Sequence, residues 1–296
     1  MGAPAPPLLQ ARAEARERAR LRPRPPRGDR RIPAVLVTGT STGIGAAVAR
    51  RLADRGFAVH ASVRQAGQAP AGAIEHVFDV TDADRVAAEV APIGELDAVV
   101  LNAGIAVASP LETLPAEELA RQLDVNVVGQ LRVLQAALPA LRRSRGRVVL
   151  MGSIGGRSAL PFLGAYAMSK FALEAMADVL RLELRPFGIE VALIEPGTIA
   201  TPIWTKPQRS LDELPAELAA LYRARGERFR ALAAARSAKA VPPEAVAAAV
   251  EHALTARRPR ARYVVGPDAR RRARVERLPD RLRDRVLERF LFGPSS

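Results

Sequence analysis

Cysteine is absent from the 296-residue chain. That excludes disulfides, thiolate metal sites and thiol catalysis, and leaves the redox compartment open. Aromatic residues make up only 4%, so a core has to be assembled from Ala, Val, Leu and Ile. The three histidines, His60, His76 and His252, stand far apart. No His, Asp and Glu cluster has metal-site spacing, and no metal is expected. No apolar stretch approaches the ~20 residues that span a bilayer. No N-terminal apolar run of about 7–15 residues marks a signal peptide. Pro6 stands where a myristoylation signal needs Ser or Thr. A cytoplasmic protein is the expectation.

Lysine is scarce as well: Lys170, Lys206 and Lys239 are the only three, and Arg supplies the rest of the basic residues. The net charge of +14 sits wholly at the two ends. Residues 1–31 carry +6 and residues 257–296 carry +8, so the segment between is neutral. Basic arms suit nucleic acid or anionic lipid. A GC-rich genome yields the same Arg, Ala and Pro bias without a partner, and no nucleic-acid motif or aromatic stacking set is present. No specific nucleic acid is expected.

Hydrophobic residues reach 48%, which excludes a disordered chain. Residues 1–31, rich in Pro and Arg, read as a disordered basic extension. Strand-length apolar runs follow at 34–38, 58–63, 74–78, 98–101, 148–151, 190–194 and 263–265. Helical patterns lie near 44–55, 82–91, 115–141, 164–186 and 243–256. Most of the strands are apolar throughout, so both faces should be covered. Alternating strands and helices predict an α/β fold, a doubly wound parallel sheet of the Rossmann type, as a single domain over residues 32–266. Residues 202–240 interrupt this rhythm with Trp204 and two amphipathic pieces around Tyr222 and Phe229, and read as a substrate lid. Residues 267–296 read as one basic amphipathic helix. Its apolar positions suit the chain's own core or a partner subunit better than weak contact with a membrane surface, because Asp280, Asp284 and Glu288 also lie on it.

The first strand runs into Thr38-Gly39-Thr40-Ser41-Thr42-Gly43-Ile44-Gly45, and a helix follows. Gly39 permits a tight turn, Gly43 a close approach to pyrophosphate, and Gly45 helix–sheet packing. The second strand ends at Val63-Arg64, without the carboxylate that would bind the ribose 2′-hydroxyl of NAD. Arg64 suits the 2′-phosphate of NADP, and Thr42 adds a hydroxyl donor. NADP is favoured over NAD.

Tyr166 and Lys170, four residues apart, share one helix face. A neighbouring ammonium lowers a phenol's pKa and readies it for proton transfer near neutrality. Ser153 precedes Tyr166 by thirteen residues in Met151-Gly152-Ser153. Asn126 lies in the preceding long helix, Asn102-Ala103-Gly104 ends the fourth strand, and Pro196-Gly197-Thr198-Ile199-Ala200-Thr201 follows the sixth.

In these motifs and their order, residues 32–266 resemble the short-chain dehydrogenase/reductase family. The resemblance implies a catalytic tetrad of Asn126, Ser153, Tyr166 and Lys170. It implies cofactor contacts at Gly39, Ser41, Thr42, Gly43, Ile44, Gly45 and Arg64, and at Asp79 and Val80 beside the adenine. Further contacts are implied at Asn102, Ala103, Gly104, Tyr166, Lys170, Pro196, Gly197, Ile199 and Thr201. Leu101 departs from the pattern, since the family often carries a second Asn there. The implied reaction interconverts a ketone and a secondary alcohol. Tyr166 is the general acid or base, and Lys170 lowers its pKa and holds the nicotinamide ribose. Ser153 binds the substrate oxygen, and Asn126 keeps a relay water. Leu160, Pro161, Phe162, Leu163, Ile203 and Trp204 predict an apolar substrate pocket, with Ser153 and Trp204 as substrate contacts. Family habit implies a homodimer or homotetramer. A non-catalytic redox sensor on the same fold is the alternative.

Overall fold

A computed structural model describes residues 33–204 and 215–293. The extension expected over residues 1–31 lies outside the described residues. Seven strands form one sheet: β1 Ala34–Val37, β2 Ala58–Val63, β3 Ile74–Val77, β4 Ala98–Leu101, β5 Arg147–Met151, β6 Glu190–Pro196 and β7 Arg262–Val265. Their order is β3-β2-β1-β4-β5-β6-β7 and every pairing is parallel. The order reverses between β1 and β4, and open sheets of this kind bind ligands beyond their carboxyl ends at that reversal.

The helices are α1 Gly43–Asp54, α2 Ala83–Val90, α3 Ala116–Leu123, α4 Gly129–Ser144, α5 Gly164–Glu183, α6 Ala216–Ser237, α7 Pro243–Thr255, α8 Pro267–Val275 and α9 Asp280–Phe292. A widened π turn, Asp124–Val128, joins α3 to α4 as one continuous run. β1 shows why both sheet faces need cover. Val35 and Val37 enter the layer under α1 and α7 with Val48, Leu52, Val246 and Val250. Ala34 and Leu36 enter the opposite layer with Val86, Val133, Leu134 and Leu173. Burying each such Val or Leu contributes ~1.5–3 kcal/mol, so a mainly aliphatic core holds the sheet, with Phe78 added on one face and Tyr263 on the other. Arg147 is buried at the start of β5 and donates to the last carbonyls of α7, Ala253 O at 2.7 Å and Ala256 O at 2.7 Å.

Two expectations are corrected. The pieces around Tyr222 and Phe229 form one 22-residue helix, α6. Its Ala, Glu, Arg and Leu are strong helix formers and no proline interrupts them. Residues 267–296 do not form one helix. Pro279, extended at ψ 144, separates α8 from α9, because proline lacks the N–H and disfavours helix at the residue before it. α9 turns back onto α6, with Arg236 over the Phe290 ring at 4.8 Å and Arg225 paired to Glu288 at 3.3 Å. Among the described residues no helix is long and apolar enough to cross a membrane.

Glu195, fully buried at the end of β6, meets Arg157 at 2.6 Å and Arg262 at 3.6 Å. Arg262 also holds Glu174 at 2.9 Å. Burial, then the hydrogen bond and charge of Glu174, push the Glu195 carboxyl from its ordinary 4.5 up to about 8, against the pull of Arg157. The folded chain therefore binds a proton that the unfolded chain has released over that window. Stability should fall as pH rises from about 4.5 to about 8. Glu195→Gln should flatten this slope, read as Tm against pH. Equal slopes in variant and parent would count against a proton shared by Glu174 and Glu195.

Candidate active site

The glycine turn leaves β1 at Thr38 and enters α1. Gly39 has φ 69 and Gly43 φ 60, a left-handed backbone that suits glycine. A side chain on Gly39 would press on Ala103 Cα at 2.9 Å. The turn is pinned to the end of β4 by Asn102, whose Nδ2 donates to Thr38 O at 2.8 Å and Gly39 O at 3.2 Å. In return the Thr38 hydroxyl accepts from the Asn102 and Ala103 amides, both at 2.9 Å. Thr42, at the N-cap of α1, makes no capping bond with its side chain, and no acid lies in the first turn. The helix start therefore offers N–H donors and a positive dipole end to an anion.

The segment after β4 is held by three buried amides spaced four residues apart. The Gln122 Oε1 accepts from Val107 N at 2.8 Å, and its Nε2 donates to Ile105 O at 2.7 Å. Asn126 accepts from Ile105 N at 2.8 Å and donates to Ile105 O and Ser169 Oγ, each at 3.0 Å. Gln130 donates to Ala103 O at 2.6 Å. Sequence reading singled out Asn126 and missed Gln122 and Gln130. The signal available was three amides at four-residue spacing, on one helix face.

Across the cleft, the Pro196-Gly197 turn closes on the glycine turn. Thr201 lies where a Gly43 side chain would meet it, at 3.3 Å. Asp268 of α8 accepts from the Thr198 amide and hydroxyl, both at 2.8 Å. That clamp spans 70 residues of chain, and no sequence motif marks it.

A cleft of about 380 Å³ results, and every residue assigned to the cofactor on sequence lines it, from Gly39 and Arg64 to Thr201. Among the described residues Asp79 is its one carboxylate; it accepts from the Thr81 amide at 2.9 Å and hydroxyl at 2.8 Å. Arg64 lines the wall, and no acid from the end of β2 does. The close-packed glycines, free helix N–H groups and basic wall fit a dinucleotide with an added phosphate.

Ser153, Tyr166 and Lys170 also line this cleft, whereas Asn126 sits behind its wall. Ser153 opens a short 3-10 turn, Ile154–Gly156, and its Oγ accepts from Gly155 N at 3.0 Å. The Tyr166 hydroxyl is hydrogen-bonded to Ser153. Lys170 donates to Met151 O at 2.7 Å, and its ammonium lies 5.6 Å from the Tyr166 ring centre. Burial holds the Tyr166 phenol above its ordinary value, while Ser153 and the Arg272 guanidinium pull it down. The expectation that Lys170 supplies this pull is corrected. Burial pushes Lys170 itself down to about 8, since an ammonium shut away from water loses its solvation.

A second cavity, about 400 Å³, shares Ser153 and Tyr166 with the cleft. Leu160, Phe162, Leu163 and Phe229 line it, as an apolar pocket requires. Phe162 carries φ 66, a strained value for a bulky residue. Its ring meets Phe229 at 5.3 Å and Tyr222 at 6.2 Å, joining this loop to α6. Ile203 lines the first cleft. The side chain of Trp204 lies outside the described residues.

A family model described as short chain dehydrogenase matches residues 33–212. Human 17-beta-hydroxysteroid dehydrogenase type 1 is 42% identical over 199 residues, 61% of this chain and 61% of the human one, so the match takes in less than two thirds of that enzyme. The NADPH-dependent 3-dehydrocapnine reductase of Ornithobacterium rhinotracheale is 35% identical over 284 residues, 86% of this chain and 96% of that one. A solved short-chain dehydrogenase from Streptomyces avermitilis superposes with a TM-score of 0.73 at 29% identity, covering 88% of this chain and 97% of the other. A match of this extent leaves one assignment: the chain belongs to the short-chain dehydrogenase/reductase family of oxidoreductases.

Proposed function

We propose that the protein is an NADP(H)-dependent oxidoreductase that interconverts a ketone and a secondary alcohol on a largely apolar small molecule. The observation that carries this reading is the convergence of Ser153, Tyr166 and Lys170 where the nucleotide cleft meets the apolar cavity. When bound, the nicotinamide supplies or accepts the hydride.

Tyr166 donates a proton to the developing alkoxide in reduction and removes it in oxidation. Ser153, already hydrogen-bonded to that phenol, holds the substrate oxygen and stabilises its growing charge. Lys170, fixed by Met151 O, holds the nicotinamide ribose. The relay water implied for Asn126 finds no free hydrogen on its amide, because both are donated to Ile105 and Ser169. We assign that amide a positioning role. Of the lid expected over 202–240, residues 205–214 lie outside the described residues, and α6, which lines the apolar cavity, acts as its cover. Exposed Met168, Phe171, Val179 and Leu182 on α5 support a homodimer or homotetramer, which a monomeric mass by light scattering would exclude.

NADP is preferred because Arg64 lines the cleft where NAD binders present an acid; the NADPH dependence named for the Ornithobacterium relative supports the same choice. Arg64→Ala should weaken NADPH binding about ten- to hundred-fold, the worth of a charge-assisted hydrogen bond, and leave NADH binding unchanged. Titration by nicotinamide fluorescence reads both. Parallel losses for the two nucleotides, or none, would remove Arg64 from the specificity role. No binding of either nucleotide to the parent chain would overturn the enzyme reading itself.

A further inference from the structure

The apolar cavity has a charged end. Among the described residues its lining contains three arginines, Arg230, Arg236 and Arg272, and no Asp or Glu. Arg272 enters from α8, where its Nη2 donates to the Ser158 carbonyl and its Nε to Ser158 Oγ at 3.3 Å. Arg236 enters from α6 and stacks over Phe290 of α9 at 4.8 Å. Both are partly buried. Among the described residues neither forms an ion pair with a carboxylate. Asp268 faces both Arg236 and Arg272 but is hydrogen-bonded to the Thr198 amide and hydroxyl. Glu276 also faces Arg272, with its Oε2 3.7 Å from Arg283 and its buried Oε1 making no hydrogen bond among the described residues.

Burial, and then the charge of Arg236, push the Arg272 guanidinium down to about 10, so the two cations feel each other. Like charges gathered in a partly dry wall are unfavourable unless a counter-charge arrives. Arg272 also pulls the Tyr166 phenol down, but that takes one cation, and Arg236 has no part in the proton and hydride chemistry. The cavity that receives the substrate is their common outlet, and guanidinium forks match the paired oxygens of an oxyanion.

We propose that the substrate is amphipathic and anionic: an apolar body against Leu160, Phe162 and Phe229, and a carboxylate, sulfonate or phosphate end held by Arg236 and Arg272. This rests on Ser153 and Tyr166 being the reaction centre, but its binding test does not need turnover. Three elements thereby acquire a purpose. α8 carries Arg272, α6 carries Arg236, and α9 packs behind Arg236 and fixes its guanidinium.

The test titrates 1-octanesulfonate and 1-octanol into the NADPH-saturated protein by calorimetry. Octanesulfonate should bind about ten-fold tighter or more than octanol. Arg236→Gln and Arg272→Gln should each weaken octanesulfonate by about ten-fold or more, with octanol held within about two-fold. Arg272 also holds Ser158, so its variant is accepted only if NADPH still binds; Arg236→Gln breaks no hydrogen bond and decides the matter alone. Octanol binding as tightly as octanesulfonate, or octanesulfonate indifferent to Arg236→Gln, would overturn the proposal. A second arm compares reduction of 4-oxododecanoate with that of its methyl ester. Preference for the acid, lost in Arg236→Gln, supports the proposal, and preference for the ester counts against it. If neither ketone is reduced while octanesulfonate still binds through Arg236, the reaction assignment fails and the anion site stands.

Discussion

Tyr166→Phe is expected to lower kcat/KM by about a hundred- to ten-thousand-fold, the range of a lost general acid or base, with NADPH affinity kept within about two-fold. The Tyr166 side chain is half-buried between the two cavities and its hydroxyl is bonded to Ser153, so removing one oxygen deletes the proton donor without opening the cavity. The pH profile adds a signed check. Burial holds the phenol above its ordinary value, so alcohol oxidation, which needs the phenolate, should accelerate as pH rises. Ketone reduction, which needs the phenol, should not. A variant with near-parental kcat would show that another group moves the proton. Equal loss of NADPH binding would instead make Tyr166 a cofactor contact first.

Gly45→Ala is expected to abolish NADPH binding at concentrations that saturate the parent, and to destabilise the fold by ~1–3 kcal/mol through overpacking. The added methyl would fall inside contact distance of the Gly39 carbonyl oxygen and 2.5 Å from Asn102 Nδ2. Neither neighbour is the loose end of a flexible side chain. Gly39 O belongs to the turn, and Asn102 Nδ2 bonds both Thr38 O and Gly39 O. Relieving the clash therefore means separating the glycine turn from the end of β4, both of which line the cleft. Gly94→Ala, with open space around it, is the matched control and should leave Tm and NADPH affinity unchanged. Retained NADPH binding in Gly45→Ala would mean that the helix start moves freely, against the close-packed cradle described above.

What the sequence determined by itself was everything written in short-range pattern. Strand-length apolar runs such as 98–101 mark buried parallel strands, because both faces of the sheet are covered. The glycines at 39, 43 and 45 and the four-residue step from Tyr166 to Lys170 are local geometry, legible before any packing is known. Proline at 279 was equally visible, yet the recurrence of Val275, Leu278, Leu282 and Val286 masked the break it causes.

Tertiary structure alone decided which distant side chains share a space. Arg272 lies 114 residues from the Ser158 that it holds, and Asp268 lies 70 from the Thr198 it caps. Neither sits in a motif, and in sequence Arg272 is one of five arginines between 270 and 277. The direction of the Tyr166 shift was decided there too. A pair of residues on one helix face predicts attraction between ammonium and phenol. Burial, which only the folded chain creates around both, outweighs it, because taking a charge out of water costs more here than its neighbours return.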